Sequence, residues 1–163
     1  MKITIITVCY NSENTIEKTF QSLQNQTYNN IEYIVVDGYS RDGTKKIIEN
    51  YKDIIFKFIS ENDKGLYDAM NKGIELATGD LIGILNSDDV FTNDRVLENI
   101  ANFHLNNSVD ASVSNVIQIN EKGKVIRNYS AINWSPKKLK IGFMPPHPAI
   151  FFKRELFDKH GDY

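Results

Sequence analysis

Two adjacent carboxylates, Asp88 and Asp89, follow an apolar run at residues 81–85. A carboxylate pair at the end of a strand can hold Mg²⁺ or Mn²⁺ while the diphosphate of a substrate supplies further oxygen ligands. The cation would then offset the charge that builds on a departing diphosphate. The same two residues also suit a turn in which one aspartate caps the next helix, so both interpretations stay open.

Two further segments carry polar groups that also have both a functional and a purely structural interpretation. Asp37 and Gly38 end the apolar run at 33–36, and this aspartate can accept a hydrogen bond from a nucleobase or ribose, or finish a turn and help cap the next helix. Lys64 precedes Gly65 at a predicted helix entry, where free backbone amides and a positive dipole end favour an anion. A solvated surface lysine is the other interpretation.

His147 stands between Pro146 and Pro148, which stiffen the backbone and would fix the imidazole near a site, or simply belong to a surface loop. Several other chemistries are excluded. The sequence has no Gly-x-Gly-x-x-Gly after a strand, no Walker loop, no Gly-x-Ser-x-Gly and no His-Glu-x-x-His. A lone cysteine, Cys9, excludes an intrachain disulfide and a zinc cluster of thiolates.

The composition is that of an ordinary globular domain. With 163 residues, 41% hydrophobic and 25% charged, the chain is neither collagen-like, low-complexity nor disordered. It has 19 Lys and Arg against 21 Asp and Glu and no long basic run, so we expect no nucleic-acid partner. No run approaches the roughly 20 apolar residues of a transmembrane helix. The single cysteine fits a reducing compartment, so we expect a cytoplasmic protein.

The elements that must position these residues alternate along the first half of the chain. β-branched apolar runs predict buried strands, and apolar residues at helical spacing predict helices between them. This order is typical of an α/β protein with a parallel sheet and right-handed crossovers. The predicted strands are 3–8, 33–36, 54–59 and 81–85; the predicted helices begin at the caps Asn11 or Ser12, at Gly43, after Gly65 (with Gly79 as its stop), and at Thr92 or Asn93.

The second half has a different pattern. Residues 111–119 and 125–129 flank a turn at 120–123 and predict a hairpin, followed by a proline-containing irregular stretch, a short strand at 149–152 and a short helix at 154–159. Ligands of open α/β sheets bind beyond the carboxyl ends of the strands. If the sheet is parallel, the polar segments at 7–11, 37–40 and 86–89 converge on one edge.

The residues resemble family 2 glycosyltransferases, which have the GT-A fold: a Rossmann-like, mainly parallel sheet flanked by helices, with a mixed-strand C-terminal part. Four ordered blocks carry the resemblance within residues 1–90, and a later His-containing segment matches more weakly. The blocks are 3–11, 35–44, 61–73 and 77–80 with 85–89, and the later segment is 146–152.

The resemblance implies a metal-dependent, inverting transfer of a sugar from a nucleotide diphosphate, expected to be a UDP-sugar, to a hydroxyl acceptor. The acceptor would be a glycan or a lipid-linked glycan, reached at the inner face of a membrane through peripheral contact. The implied nucleotide-sugar residues are Thr7 and Tyr10 beside the base, Asp37 on uracil or ribose, Lys64 and Asp68 beside the nucleotide or donor sugar, Asp88 facing ribose or metal, and also Asn11 and Ser40; Asp89, with Asp88, would coordinate Mn²⁺ or Mg²⁺.

Two departures from the family pattern matter. Many members have an aspartate where this chain has Asn86, so metal affinity is expected to be lower. The family also continues past a segment like 155–163, and an acidic residue there commonly serves as the general base. We therefore expect 1–163 to be a single, C-terminally incomplete GT-A-like domain, with a nucleotide-binding half at 1–90 and the start of the acceptor-side half at 91–163. His147 is a substitute candidate for the base, or it touches metal or phosphate.

Two other hypotheses remain beside the enzyme. The first is a fragment that binds a nucleotide sugar without transferring it. The second is a receiver-like signalling domain that accepts phosphate on Asp37 or Asp88, which would require acidic residues at the end of the first strand. The sequence there, at 9–11, is Cys-Tyr-Asn and offers none.

Overall fold

A computed structural model describes residues 1–120 and 122–163; the side chain of His147 lies outside the described part. Eight strands and five α-helices occur among the described residues, with short 3-10 turns between some of them. In chain order they are β1 Ile3–Cys9, α1 Ile16–Gln24, β2 Ile31–Asp37, α2 Thr44–Asn50, β3 Lys57–Ser60, α3 Leu66–Leu76, β4 Leu81–Ile84, α4 Val96–Asn106, β5 Ala111–Val113, β6 Val116–Ile119, β7 Val125–Tyr129, β8 Ile150–Lys153 and α5 Glu155–His160.

Six of the strands form one sheet in the order β3-β2-β1-β4-β8-β5. β3, β2, β1 and β4 are parallel, whereas β8 is antiparallel to both of its neighbours. The predicted parallel sheet with a mixed C-terminal part is therefore confirmed. Because β1 lies in the middle, all seven of its residues are buried, which is why its sequence is almost continuously apolar.

Helices cover both faces of this sheet. On one face, Ile5 packs in a core that includes Phe20 of α1, Ile48 of α2 and Leu97 of α4. On the other face, Ile6 packs in a core with Met70 and other residues of α3. Successive residues of β1 thus point into different cores, as the two-residue period of a strand requires.

Two predicted strands are shorter than expected. The run at 54–59 begins as a 3-10 turn, Lys52–Ile54, and only Lys57–Ser60 pairs with β2. The run at 111–119 is interrupted after Val113, so that β5 joins the main sheet while β6 pairs with β7. The predicted hairpin is therefore present, but its first strand is the separate element β6.

The predicted helix signals were wrong in three places. α4 begins at Val96, directly after Arg95, so neither Thr92 nor Asn93 is its cap. α1 begins at Ile16 without a side-chain cap, because Asn11 has a positive φ of 50° and the Ser12 carbonyl accepts the amides of Thr15 and Ile16. Gly79 does not end α3 in a left-handed turn. It instead packs so tightly on β1 that a Cβ there would lie 2.7 Å from the Thr4 nitrogen.

A buried carboxylate ties the amino-terminal edge of the sheet. Glu32 accepts hydrogen bonds from the Lys2 ammonium at 2.6 Å, the Thr4 hydroxyl at 2.7 Å and the Thr78 amide at 2.7 Å. Burial alone would raise the pKa of Glu32, but these donors outweigh it and lower the pKa to about 2. Glu32 therefore ties the amino-terminal ends of β1 and β2 to the segment at Thr78 that follows α3. None of the described helices is long and apolar enough to cross a membrane.

Candidate functional site

The carboxyl ends of the parallel strands form one rim, as the sequence predicted. Cys9, Asp37 and Ser60 lie side by side in register across β1, β2 and β3. On the other side of β1, the amide of Leu85 donates to the Ile6 carbonyl at 2.9 Å, which places the Asn86 turn next to the end of β1.

Hydrogen bonds fasten the loops of this rim to each other. The Asn11 amide donates to the Ser40 hydroxyl at 2.8 Å, and the Arg41 amide donates to the Asn11 side-chain oxygen at 2.9 Å. The hydroxyls of Ser12 and Ser87 lie 2.8 Å apart. The loops after β1, β2 and β4 therefore act as one wall. Asn11 and Ser40 are brought together, and each holds the other's loop.

Asp37 is completely enclosed at this rim. Its carboxylate accepts hydrogen bonds from the Ser60 hydroxyl at 2.6 Å, the Ser40 amide at 3.1 Å and the Ser40 hydroxyl at short range. The Cys9 thiol lies 3.7 Å from the same carboxylate, and burial, with the Asp37 charge second, raises the pKa of that thiol. Asp37 thus holds the loop at Ser40 against the end of β3. Its predicted contact with uracil or ribose stays a prediction.

Thr7 also lies below the rim. It exposes no surface, and its hydroxyl accepts a hydrogen bond from Tyr33 at 2.9 Å inside the core. Thr7 therefore lies on β1 beneath the site, and its side chain is part of the core. Its predicted place beside a base stays a prediction.

The open part of the rim lies over Gly38. Tyr10 is 61% exposed, and a Cβ built on Gly38 would lie 3.4 Å from its ring and 2.5 Å from a carboxylate oxygen of Asp63. An aromatic face and a carboxylate therefore flank a floor that has no side chain. Sequence reasoning placed Tyr10 here but missed Asp63, although Asp63 lies in the block at 61–73. Its position beside Gly38 is a tertiary contact that spacing alone does not reveal.

Lys64 and Asp68 follow at the entry of α3. Asp68 accepts the Lys64 amide at 3.2 Å and pairs with the Lys72 ammonium at 3.2 Å; these two hydrogen bonds lower its pKa. Lys72 also pairs with Glu61 at 2.9 Å, and this hydrogen bond is the main reason that its pKa is raised. The side chain of Lys64 is exposed beside this network, so it is the lysine here that can meet an anion.

The acidic turn after β4 contains Asn86, Asp88 and Asp89. Asp88 is exposed, whereas Asp89 is half-buried, and burial together with the nearby Asp88 charge raises the pKa of Asp89. The Asn86 side-chain amide donates to Asp89 at 3.0 Å, and the Asp89 carbonyl accepts the Thr19 hydroxyl at 2.8 Å. The turn is therefore fixed to α1 as well as to the wall of the rim.

The donor atoms of this turn suit a hard cation. The Asn86 side-chain oxygen is buried and has no hydrogen-bond partner among the described residues, so this turn holds an oxygen atom that no protein donor uses. Among the described residues, no group of three or more His, Cys, Asp or Glu side chains is placed to hold a metal. A cation held by Asn86, Asp88 and Asp89 would therefore need the oxygens of a bound diphosphate to complete its shell.

His147 opens a 3-10 turn, His147–Ala149, that leads directly into β8. Its side chain lies outside the described part, so its predicted role as a base or as a metal or phosphate contact stays a prediction.

Comparisons with known proteins show the family to which this chain belongs. A family model described as Glycosyl transferase family 2 matches residues 4–160. Among curated proteins, the Escherichia coli enzyme WfaP, named UDP-Glc:alpha-D-GlcNAc-diphosphoundecaprenol beta-1,3-glucosyltransferase, is 33% identical over 171 residues that cover 98% of this chain and 61% of that enzyme. The chain spans less than two thirds of the length of the first curated relatives that it matches.

Solved structures share the fold. TarS from S. aureus in complex with UDP-GlcNAc superposes with a TM-score of 0.77 at 23% identity, covering 98% of this chain and 47% of that one. The mannosyltransferase PcManGT from Pyrobaculum calidifontis, in complex with GDP-Man and Mn²⁺, superposes with a TM-score of 0.75 at 22% identity, covering 99% of this chain and 47% of that one. The predicted GT-A α/β fold is confirmed, and the chain belongs to glycosyl transferase family 2.

Proposed function

We propose that this chain is the donor-binding part of a metal-dependent, inverting glycosyltransferase that moves a sugar from a UDP-sugar to a hydroxyl acceptor. The observation that carries the proposal is the shared rim. The Ser12–Ser87 contact joins the loop after β1, which carries Tyr10, to the Asn86–Asp89 turn, and Tyr10 and Asp63 both lie beside Gly38. A nucleoside diphosphate has a flat base at one end and an anionic group at the other, and this rim offers a complementary group for each.

The residues would divide the work as follows. The Tyr10 ring stacks on the base, and Asp63 accepts an N–H from its edge. Lys64 meets a phosphate oxygen with its exposed ammonium. Asn86, Asp88 and Asp89 would hold Mn²⁺ or Mg²⁺, which when bound offsets the negative charge on the leaving diphosphate.

Uridine is the base that we propose. A carboxylate beside a stacking ring reads an imide N–H, which uracil has between its two carbonyls. TarS was solved with UDP-GlcNAc, and the name of the E. coli relative gives UDP-Glc as its donor. PcManGT was solved with GDP-Man and Mn²⁺, so GDP is the competitor that the experiment must include.

The acceptor that we propose is a glycan or lipid-linked glycan, reached from the cytoplasmic side of a membrane. The name of the E. coli relative, whose acceptor is diphosphoundecaprenol-linked, supports this class. We further propose that 1–90 forms the nucleotide-binding half and that 91–163 begins the acceptor-side half of a single domain.

Calorimetry with UDP and GDP, with and without Mn²⁺, tests the proposal. We expect UDP to bind more tightly with Mn²⁺ than without it, and more tightly than GDP. Asp89→Asn keeps the shape of the turn but removes the charge, so it should abolish the increase due to Mn²⁺. Asp53→Asn is the matched control, because Asp53 is an exposed aspartate in the 3-10 turn before β3. An Asp89→Asn protein that retains the full Mn²⁺ increase would refute the cation site.

A second candidate is a fragment that binds the nucleotide sugar but does not transfer it. The chain spans 47% of the TarS chain, so transfer by these 163 residues is itself part of the proposal. Hydrolysis or transfer of a UDP-sugar under conditions where UDP binds decides between the two. Turnover supports the enzyme, and tight binding without turnover supports the fragment.

A further inference from the structure

Residues 114–149 leave the main sheet and return to it at the same place. Val113 pairs with Ile150 across β5 and β8, and the Ser114 amide donates to the Ala149 carbonyl at 2.9 Å. β5 and β4 are both antiparallel to β8, so β5 runs parallel to β4 and ends at the rim of the candidate site. We call residues 114–149 the rim excursion, because both of its ends lie at that rim.

The rim excursion is strongly basic in an otherwise acidic chain. It contains six Lys or Arg and one acidic residue, whereas the whole chain contains 19 and 21, so the other 127 residues contain 13 and 20. The net charge is therefore +5 inside the excursion and −7 outside it. The basic residues are Lys122, Lys124, Arg127, Lys137, Lys138 and Lys140.

The same segment exposes much of the apolar surface. Of the 20 large hydrophobic side chains that are exposed among the described residues, ten lie in the excursion. Ile132, Ile141 and Met144 are the extreme cases at 84%, 80% and 70% exposure. Within the described part, β6 and β7 pair only with each other, and all five residues of β7 are exposed. A two-stranded sheet of this kind is only marginally stable without a further surface to pack on.

Local contacts connect different parts of the rim excursion to each other. The Ala131 amide donates to the Asn115 side chain at 2.8 Å, which ties the end of the hairpin to its beginning. The Trp134 indole donates to the Phe143 carbonyl at 3.2 Å, and the Lys138 ammonium lies 5.5 Å from the Phe143 ring centre. The exposed apolar groups therefore lie on a segment whose backbone is connected internally by the Asn115–Ala131 and Trp134–Phe143 hydrogen bonds.

We propose that the rim excursion docks on the surface of an anionic lipid bilayer. Lysine is depleted from the cores of protein–protein interfaces, whereas here Lys137, Lys138 and Lys140 lie next to the exposed side chains of Leu139 and Ile141. On a bilayer, ammonium groups meet lipid phosphates while apolar tips enter the boundary between head groups and acyl chains. Docking would hold the rim close to the membrane. The idea that docking presents a lipid-linked acceptor to the site rests on the proposed function. The docking itself does not depend on that function.

Vesicle sedimentation tests the proposal with the 163-residue chain. We expect binding to vesicles that contain phosphatidylglycerol, little binding to pure phosphatidylcholine, and weaker binding at high salt. Lys137→Glu with Lys140→Glu should weaken binding at least about tenfold, because each lysine near the surface contributes to the attraction. Lys18→Glu with Lys46→Glu is the matched control for net charge, since both lysines are exposed on α1 and α2. Equal loss in the two pairs would overturn the proposal.

An apolar pair provides the second arm. Ile132→Ser with Ile141→Ser should also weaken binding to anionic vesicles, whereas Leu105→Ser, at a side chain 62% exposed on α4, should not. All of these positions are exposed, so the variants are expected to fold, and calorimetry with UDP gives an independent readout of the nucleotide site. Vesicle binding without UDP binding refutes the proposed function alone. No vesicle binding, or light scattering that shows a dimer disrupted by the isoleucine pair, refutes the docking.

Discussion

Gly38→Ala is the substitution that probes the proposed base site most directly. A Cβ at this position would lie 2.5 Å from an Asp63 carboxylate oxygen, whereas ordinary contacts begin at 3.4 Å, so the oxygen must move by about 0.9 Å. A hydrogen bond of about 2.9 Å to a base would then stretch beyond its useful range. Losing one hydrogen bond to a charged acceptor costs about 1.5–3 kcal/mol. We therefore expect roughly 10- to 100-fold weaker binding of both uridine and UDP, measured by calorimetry.

The stability of this variant should change little. Gly38 is absent from the positive-φ glycines, and the atom in the way is the end of a side chain that can turn aside. Gly43→Ala is the matched control, because its Cβ would meet a Glu13 carboxylate oxygen at 2.7 Å at the start of α2, away from the proposed base. If Gly38→Ala binds uridine as tightly as the parent chain, the base does not sit over Gly38. If both alanine variants lose affinity equally, the effect belongs to the loops in general and not to Asp63.

Other expectations concern stability and reactivity. Glu32→Gln should lower the free energy of unfolding by about 2 kcal/mol near neutral pH. This figure follows from the fall in the pKa of Glu32 from 4.5 to about 2, and it is reduced because Lys2 is 36% exposed and solvent screens its charge. Because the folded-state pKa is depressed, the parent chain should lose this stability as pH falls from about 4.5 towards 2, whereas urea titrations of the variant should show no such loss from this position. Gly83→Ala should destabilise by about 1–3 kcal/mol in the same assay, since its Cβ would lie 2.4 Å from the buried Phe151 ring. The Cys9 thiol, with its pKa raised by burial, should react with Ellman's reagent only when urea unfolds the chain; rapid reaction in buffer would contradict its enclosure.

The central part of the parallel sheet was predictable because β1, β2 and β4 are buried on both faces. A strand such as β1, covered by helices on each side, needs apolar residues at every position, and that pattern is visible without neighbours. The break between β5 and β6 was not predictable in the same way. Val113 and Val116 are both β-branched, and only pairing decides that Val113 joins β8 while Val116 joins β7.

The candidate site was also only partly predictable from the sequence. Residue type and position at a strand end were enough to bring Asp89 and Tyr10 to one rim. Whether a carboxylate faces solvent depends on partners from distant segments, and Asp37 is enclosed because Ser60 reaches it from β3. Asp63 was missed for the converse reason, since its neighbour Gly38 lies 25 positions earlier in the chain.

The register pair of Val113 and Ile150 makes the intervening segment a self-closing insertion. The two ends of this segment meet where β5 pairs with β8. Its length and sequence can therefore change without shifting the register of the other strands. A change in what this segment contacts outside the sheet is therefore expected to leave the strands that position the candidate site in place. Transplanting a different loop between these two residues is accordingly a practical route to redirecting the protein to a new surface.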